Sequence, residues 1–174
     1  MRKVLQIVSV TLLLGVSGCG YHSVGSASHI PGNVRTLNVP IFQSGVQAYN
    51  TETVFTQAVV RELETRTKYQ ISLKDKGSAD ATLKGYIVSQ NVSPLTYDPS
   101  SGQTSSYLVS ITARVELTAQ DGTVLYRNDN MAWREQYQST QDLSGFVQED
   151  SAAMHRVARE FAQALVSDML ESFK

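Results

Sequence analysis

Between Tyr107 and Thr118 the chain alternates, with Tyr107, Val109, Ile111, Ala113, Val115 and Leu117 on one side and Ser110, Thr112, Arg114, Glu116 and Thr118 on the other. Successive side chains point to opposite faces only in an extended strand, so this run has one face on a core and one on water. Asp121-Gly122 follows, a pair suited to the positive φ angles of a tight hairpin turn. Val124, Leu125 and Tyr126 therefore begin a return strand directed toward Trp133 and Glu135. The remaining elements must cover the apolar face of that hairpin.

Two helices are predicted to do so. Val54, Phe55, Ala58, Val59 and Leu63 share a face of a helix from about Thr51 to Thr67, capped by Asn50 or Thr51, with Glu62 and Arg66 as an i,i+4 pair on another face. Met154, Val157, Ala158, Phe161, Leu165, Met169 and Phe173 form the stripe of a last helix capped by Asp150 or Ser151. Arg156, Arg159, Glu160, Gln163 and Glu171 stay outside that stripe, and the polar stretch from Gln136 to Gln148 leads into it.

Further strands are expected elsewhere. In Val34 to Phe42, Leu37, Val39 and Ile41 share a face, with Pro40 placing the strand at an edge or ending it. Tyr69, Ile71 and Leu73 alternate next, up to Asp75-Lys76-Gly77, and from Ala79 the chain is extended through Leu83, Tyr86 and Val88. Pro94 and Asp98-Pro99-Ser100-Ser101-Gly102 break that strand, so Ser93 to Ser106 reads as a loop. The order β-α-β-β-β-β-α predicts an α+β two-layer sandwich, with two helices packed on one face of a four- to five-stranded mixed sheet.

The amino terminus carries a different signal. Met1-Arg2-Lys3 is basic, Val4 to Val16 is largely apolar, and Val16-Ser17-Gly18-Cys19 looks like a bacterial lipobox. The apolar run is shorter than the roughly 20 residues a spanning helix needs, which makes it an export signal. The expected division is a signal peptide over 1–18, a lipidated tether over 19–33 and one α+β domain over 34–174. Cys19 is the only cysteine, so no disulfide forms within one chain, and the sulfur is the expected acyl acceptor. Removing 1–18 takes two of the 15 basic residues and none of the 16 acidic ones, moving the formal charge from −1 to −3. Such a chain carries no nucleic-acid footprint.

Motifs for chemistry are scarce. Of the three histidines, His22 and His29 fall in the tether and His155 at the edge of a helical stripe. HExxH, CxxC, GxSxG and a phosphate-cradling glycine loop do not occur, so no catalytic residue, metal site or cofactor is expected. Trp133, Tyr97, Tyr107, Tyr126 and Tyr137 cluster in the second half of the chain. They suit either sheet packing with wet polar tips or a contact surface for a partner.

Cys19-Gly20-Tyr21-His22, the strand Val34 to Phe42, Ala79-Asp80-Ala81-Thr82-Leu83-Lys84-Gly85, and Tyr97 to Tyr107 with Gly102-Gln103-Thr104 resemble the lipopolysaccharide-assembly lipoprotein family LptE in order and spacing. The resemblance implies two helices on a four-stranded sheet and a non-enzymatic role. It implies a lipid anchor on the periplasmic side of the outer membrane, and an LptD-type β-barrel partner whose lumen the chain plugs and whose folding it supports. Lipopolysaccharide then passes to the outer leaflet. Where some members offer basic residues to lipopolysaccharide, this chain has Asp98 and Gln148, so direct lipopolysaccharide contact stays open. The loop around Tyr97, Asp98, Gly102 and Gln103 is the expected contact with partner or lipid, because long ordered loops are disproportionately functional. The competing readings are a periplasmic scaffold lipoprotein of another envelope complex and a secreted hydrolase.

Overall fold

The computed structural model describes residues 30–46, 50–73, 79–138 and 143–171, with side chains of the last segment described from 152 onward. The signal 1–18, Cys19, most of the tether, Asp75-Lys76-Gly77 and Phe173 lie outside the described residues. The elements run β1 (Thr36–Asn38), β2 (Gln43–Ser44), α1 (Thr51–Arg66), β3 (Gln70–Ser72), β4 (Ala81–Tyr97), β5 (Thr104–Ala119), β6 (Val124–Gln138) and α2 (Leu143–Glu171). The strands form one mixed six-stranded sheet in the order β3-β1-β4-β5-β6, with β2 attached to β4. β3, β1, β4 and β2 pair in parallel, and β4, β5 and β6 are antiparallel.

The alternation of β5 is realised as read, with Val109, Ile111, Ala113, Val115 and Leu117 all buried. Both helices cover this face. Val54 and Ala58 are half-buried and Phe55, Val59 and Leu63 buried on α1, while Met154, Val157, Ala158, Phe161, Leu165 and Met169 are buried on α2. Phe161 is the centre of the layer, its ring 5.1 Å from Phe55, 6.1 Å from Trp133 and 6.5 Å from Phe42. The α1 pair forms as read, Arg66 to Glu62 at 3.8 Å, and Arg66 also donates to the Ser167 hydroxyl of α2. Asn50 stands at the N-cap with φ 60° but makes no side-chain cap bond, and the Thr51 hydroxyl donates to Gln90 Oε1 of β4 instead.

The Ala79 to Gly85 motif is a structural clamp. Asp80 Oδ2 accepts from the backbone N–H groups of Arg35 (2.8 Å) and Thr36 (2.9 Å) and from the Thr36 hydroxyl (2.8 Å), tying the starts of β1 and β4 together. The Arg35 amide first, then the Thr36 groups, hold the Asp80 carboxyl below its ordinary range. Ala81 and Leu83 are fully buried, and a Cβ on Gly85 would stand 2.3 Å from the Phe42 ring.

Four local expectations are corrected. Ile41 is 57% exposed, because Pro40 closes β1 after Asn38 and the chain re-enters the sheet as the unforeseen β2, burying Phe42 in its place. Leu73 is 56% exposed just beyond the short β3. β4 continues through Pro94, which pairs in register with Tyr107. Beyond Ile87 the described residues give β4 a neighbour on one side only, and such an edge tolerates a residue without an N–H. Finally, α2 begins at Leu143, so Asp150 and Ser151 are not its cap, and β6 extends through Gln136 to Gln138. Leu143, Phe146, Val147 and Met154 are apolar at helical spacing, a continuation masked by the Gln, Ser and Asp residues between them.

Candidate functional site

Among the described residues no element covers the sheet face opposite the helices. In-register pairing lines up Lys84, Glu116 and Arg127 across β4, β5 and β6. Arg127 reaches Glu116 at 3.7 Å and Asp129 at 2.9 Å, and Arg114 reaches the same Asp129 at 3.2 Å. These groups are largely exposed, so each pair adds little to stability. Their effect is a charged, wettable surface continued by Ser110, Thr112, Arg134 and Gln136.

Beyond Ile87, β4 and β5 run on as a ribbon flanked by β6 as far as the Ser106–Gln138 pair, and a six-residue turn, Asp98 to Gln103, closes it in place of the long loop read from the sequence. The Asp98 carboxylate organises that turn, accepting at Oδ1 from the backbone N–H of Ser100 and of Ser101, each at 2.8 Å, and from both serine hydroxyls. The Asp98 N–H donates to the Gln103 carbonyl and the Gly102 N–H to the Asp98 carbonyl, both at 2.8 Å. Gly102 has φ +68°, a conformation that costs a glycine nothing sterically. The Ser100 hydroxyl, with the Ser101 and Ser100 amides, lowers the Asp98 carboxyl to about 2.

A depressed carboxylate stabilises its state fully above its unfolded value near 3.8, and the contribution is lost as pH falls through the folded value. The amide resonances of Ser100 and Ser101 are therefore expected to titrate with a midpoint near 2. A midpoint near 3.8 would mean the turn is not held by Asp98.

The structure thus brings Tyr97, Asp98, Gly102 and Gln103 together at one tip, with distinct parts. Asp98 and Gly102 build the turn, Gln103 closes it through its carbonyl, and Tyr97 is 61% exposed beside it. The aromatic cluster divides accordingly. Tyr107 stacks on Tyr137 with centroids 5.6 Å apart, Trp133 meets Phe161 edge-on, and Tyr126 is buried and donates to Asp168 Oδ2 at 2.6 Å. Burial, then that bond to Asp168, pushes the Tyr126 hydroxyl up. Of the five, Tyr97 alone is exposed.

Sequence reasoning missed the rest of the ribbon's apolar surface, Val88, Val92 and Leu95, each 41–44% exposed. A signal was present: after Leu83 and Ile87 at odd positions, Val88 and Val92 change phase, and the pairing register slips between Ile87 and Ser89. A groove of about 320 Å³ runs between α1 and the ends of β1 and β3, lined by Ile41, Leu73, Val60, Arg61 and Glu64 among others, with neither histidine nor cysteine in its lining. No group of three or more metal-ligating side chains occurs among the described residues.

A family model described as lipopolysaccharide-assembly, LptE, matches residues 34–169. The chain belongs to this LptE family. Among solved structures it is similar to the rare lipoprotein B from Shewanella oneidensis, at 14% identity and TM-score 0.53, covering 78% of this chain and 96% of that one. It is also similar to a protein from Xanthomonas campestris (13% identity, TM-score 0.53, 82% of this chain and 89% of that one). A hypothetical protein from Chlamydia trachomatis matches at 10% identity and TM-score 0.51, over 78% and 96% of the two chains. At such identities the likeness is one of fold. Comparison with curated proteins gives no match. The LptE assignment agrees with the resemblance carried by the Ala79 to Gly85 motif and the Tyr97 to Tyr107 segment.

Proposed function

We propose that this LptE-family chain is exported on its 1–18 signal, acylated at Cys19 and held on the periplasmic side of the outer membrane. There it plugs an LptD-type β-barrel, supports the barrel's assembly without catalysing a reaction, and lets lipopolysaccharide pass to the outer leaflet. The observation that carries this reading is the open sheet face. A domain seated in a wide barrel meets a polar lumen, and the row Lys84, Glu116, Arg127 with Arg114 and Asp129 supplies a hydrophilic face that the helices leave uncovered. No helix of the described residues is long and apolar enough to cross a membrane. Acyl chains contribute about 0.8 kcal/mol per buried CH₂, and two or more give stable anchoring.

The test is isolation of the full lipidated chain from its own envelope in mild detergent, with a β-barrel of several hundred residues expected alongside. Cys19→Ser should abolish labelling by an alkyne fatty acid. Replacing Tyr97 through Gln103 by a Gly-Ser linker should weaken recovery of the barrel and raise sensitivity to large hydrophobic antibiotics. Isolation without any barrel would refute the plug, and equal label on Cys19→Ser would refute the anchor.

A further inference from the structure

We infer that the free edge of β4, from Val88 to Tyr97, is a docking edge for an extended, uncharged segment of a partner protein, which adds to the sheet by main-chain hydrogen bonds. The edge opens where β2 ends. The Gly45 N–H donates to the Ile87 carbonyl at 3.0 Å, and beyond that bond the described residues place β5 on one side of β4 and no strand on the other. In an antiparallel pair the residues alternate between bonding the neighbour and pointing away. A strand of this length therefore carries a row of unpaired N–H and C=O groups over roughly 30 Å, interrupted at Pro94.

The sheet's other borders are blunted in the usual ways. β3 is three residues long. β6 carries the charges Arg127, Asp129, Arg134 and Glu135. The free part of β4 has no such charge, since every residue from Gly85 to Tyr97 is neutral, and it is interrupted only by Pro94 and three slips in register. Five of the eight large apolar side chains exposed among the described residues stand on it: Tyr86, Val88, Val92, Leu95 and Tyr97.

The chemistry selects the occupant. Lipid tails and packed helices offer no row of donors and acceptors at strand spacing, and polar backbone left unpaired against hydrocarbon is costly. An extended backbone satisfies the row, as in β-strand addition. Because the edge is neutral, a neutral segment meets no unpaired charge on docking. The partner's identity as a barrel rests on the proposed function, whereas the edge does not.

The experiment uses the full lipidated chain in its own envelope, with a photoactivatable benzoylphenylalanine at Val92 or Leu95 and, as control, at the exposed Val124 of β6. Amide hydrogen exchange is then compared between the isolated complex and the free protein. Val92 and Leu95 are expected to cross-link to one short segment of the partner, and the outward amides of Val88 to Tyr97 to slow by at least about tenfold, the scale set by one hydrogen bond. The β6 amides should not change. If the barrel is recovered while the β4 amides exchange as in the free protein, the docking edge is wrong and the plug stands. If no barrel is recovered but both positions cross-link to a strand of another protein with the same protection, the plug is wrong and the edge stands. Cross-links to a second copy of this chain or to lipid overturn the inference.

Discussion

Phe161→Ala is expected to cost on the order of 3 to 5 kcal/mol, the range for removing a fully buried phenylalanine ring. The ring has no exposure and touches three other aromatic groups from three elements: Phe55 on α1, Phe42 at the entry to β2, and Trp133 on β6. A cavity there is walled on all three sides, and each wall is fixed separately. Phe42 is held by its N–H bond to the Thr56 hydroxyl at 2.9 Å, α1 by the Arg66 contacts to α2, and β6 by Glu135, which accepts from Arg156 of α2 at 2.7 Å. Collapse into the space is therefore limited, which favours the upper part of the range. At this chain length the melting temperature should fall by roughly 10 °C. Gln163→Ala, two residues along the same helix, should stay within about 0.5 kcal/mol. Its side chain is exposed, and what Arg66 uses is its carbonyl. Equal melting temperatures for the two variants would place the buried stripe of α2 on another face.

That stripe was legible because a helix repeats its environment every turn, and Met154 to Met169 keep the repeat without interruption. β5 was legible for the corresponding reason at period two. Readability failed where a local rule was overridden by what lies beside the chain. Pro94 and the Asp98 to Gly102 turn signals were read as one long loop, yet a proline is admitted to a strand with an unpaired side, and sequence does not say which strand has one. Ile41 was placed with Leu37 and Val39, and a single proline between them changed the path. At the tip, Tyr97, Asp98, Gly102 and Gln103 fall at one turn, as their closeness along the chain requires. The sequence could not separate their parts, because Asp98 as turn builder and Asp98 as contact have the same spelling. The unpaired edge of β4 is a property of neighbours, and only the pairing of β2 up to Ile87 defines where it begins.

Gly85→Ala is expected to destabilise the fold by about 3 kcal/mol, the upper end for overpacking a filled core. On local grounds the sign would be the reverse, since a glycine inside a strand costs chain entropy and replacing it gains roughly 0.4 to 1 kcal/mol where the backbone allows. The clash outweighs that gain. An added Cβ would lie 2.3 Å from both Cδ2 and Cε2 of Phe42 and 2.5 Å from Cγ, so it meets the body of the ring, with no flexible end to swing aside. Phe42 is 2% exposed, its backbone is bonded to Thr56, and its ring stands edge-on against Phe161, which leaves it nowhere to retreat. Relief must come by lifting the chain at Phe42, and the next residues, Gln43 and Ser44, are the β2 strand that pairs with Tyr86 and Ile87. The variant should thus lose protection of the β2 amides in hydrogen exchange before it loses that of β5. Phe42→Leu in the same chain should restore part of the stability, because a smaller side chain opens room for the methyl group. A neutral Gly85→Ala would show that the ring does not lie on Gly85. A loss of stability without early release of β2 would show that this glycine does not seat the strand whose end marks the start of the free edge.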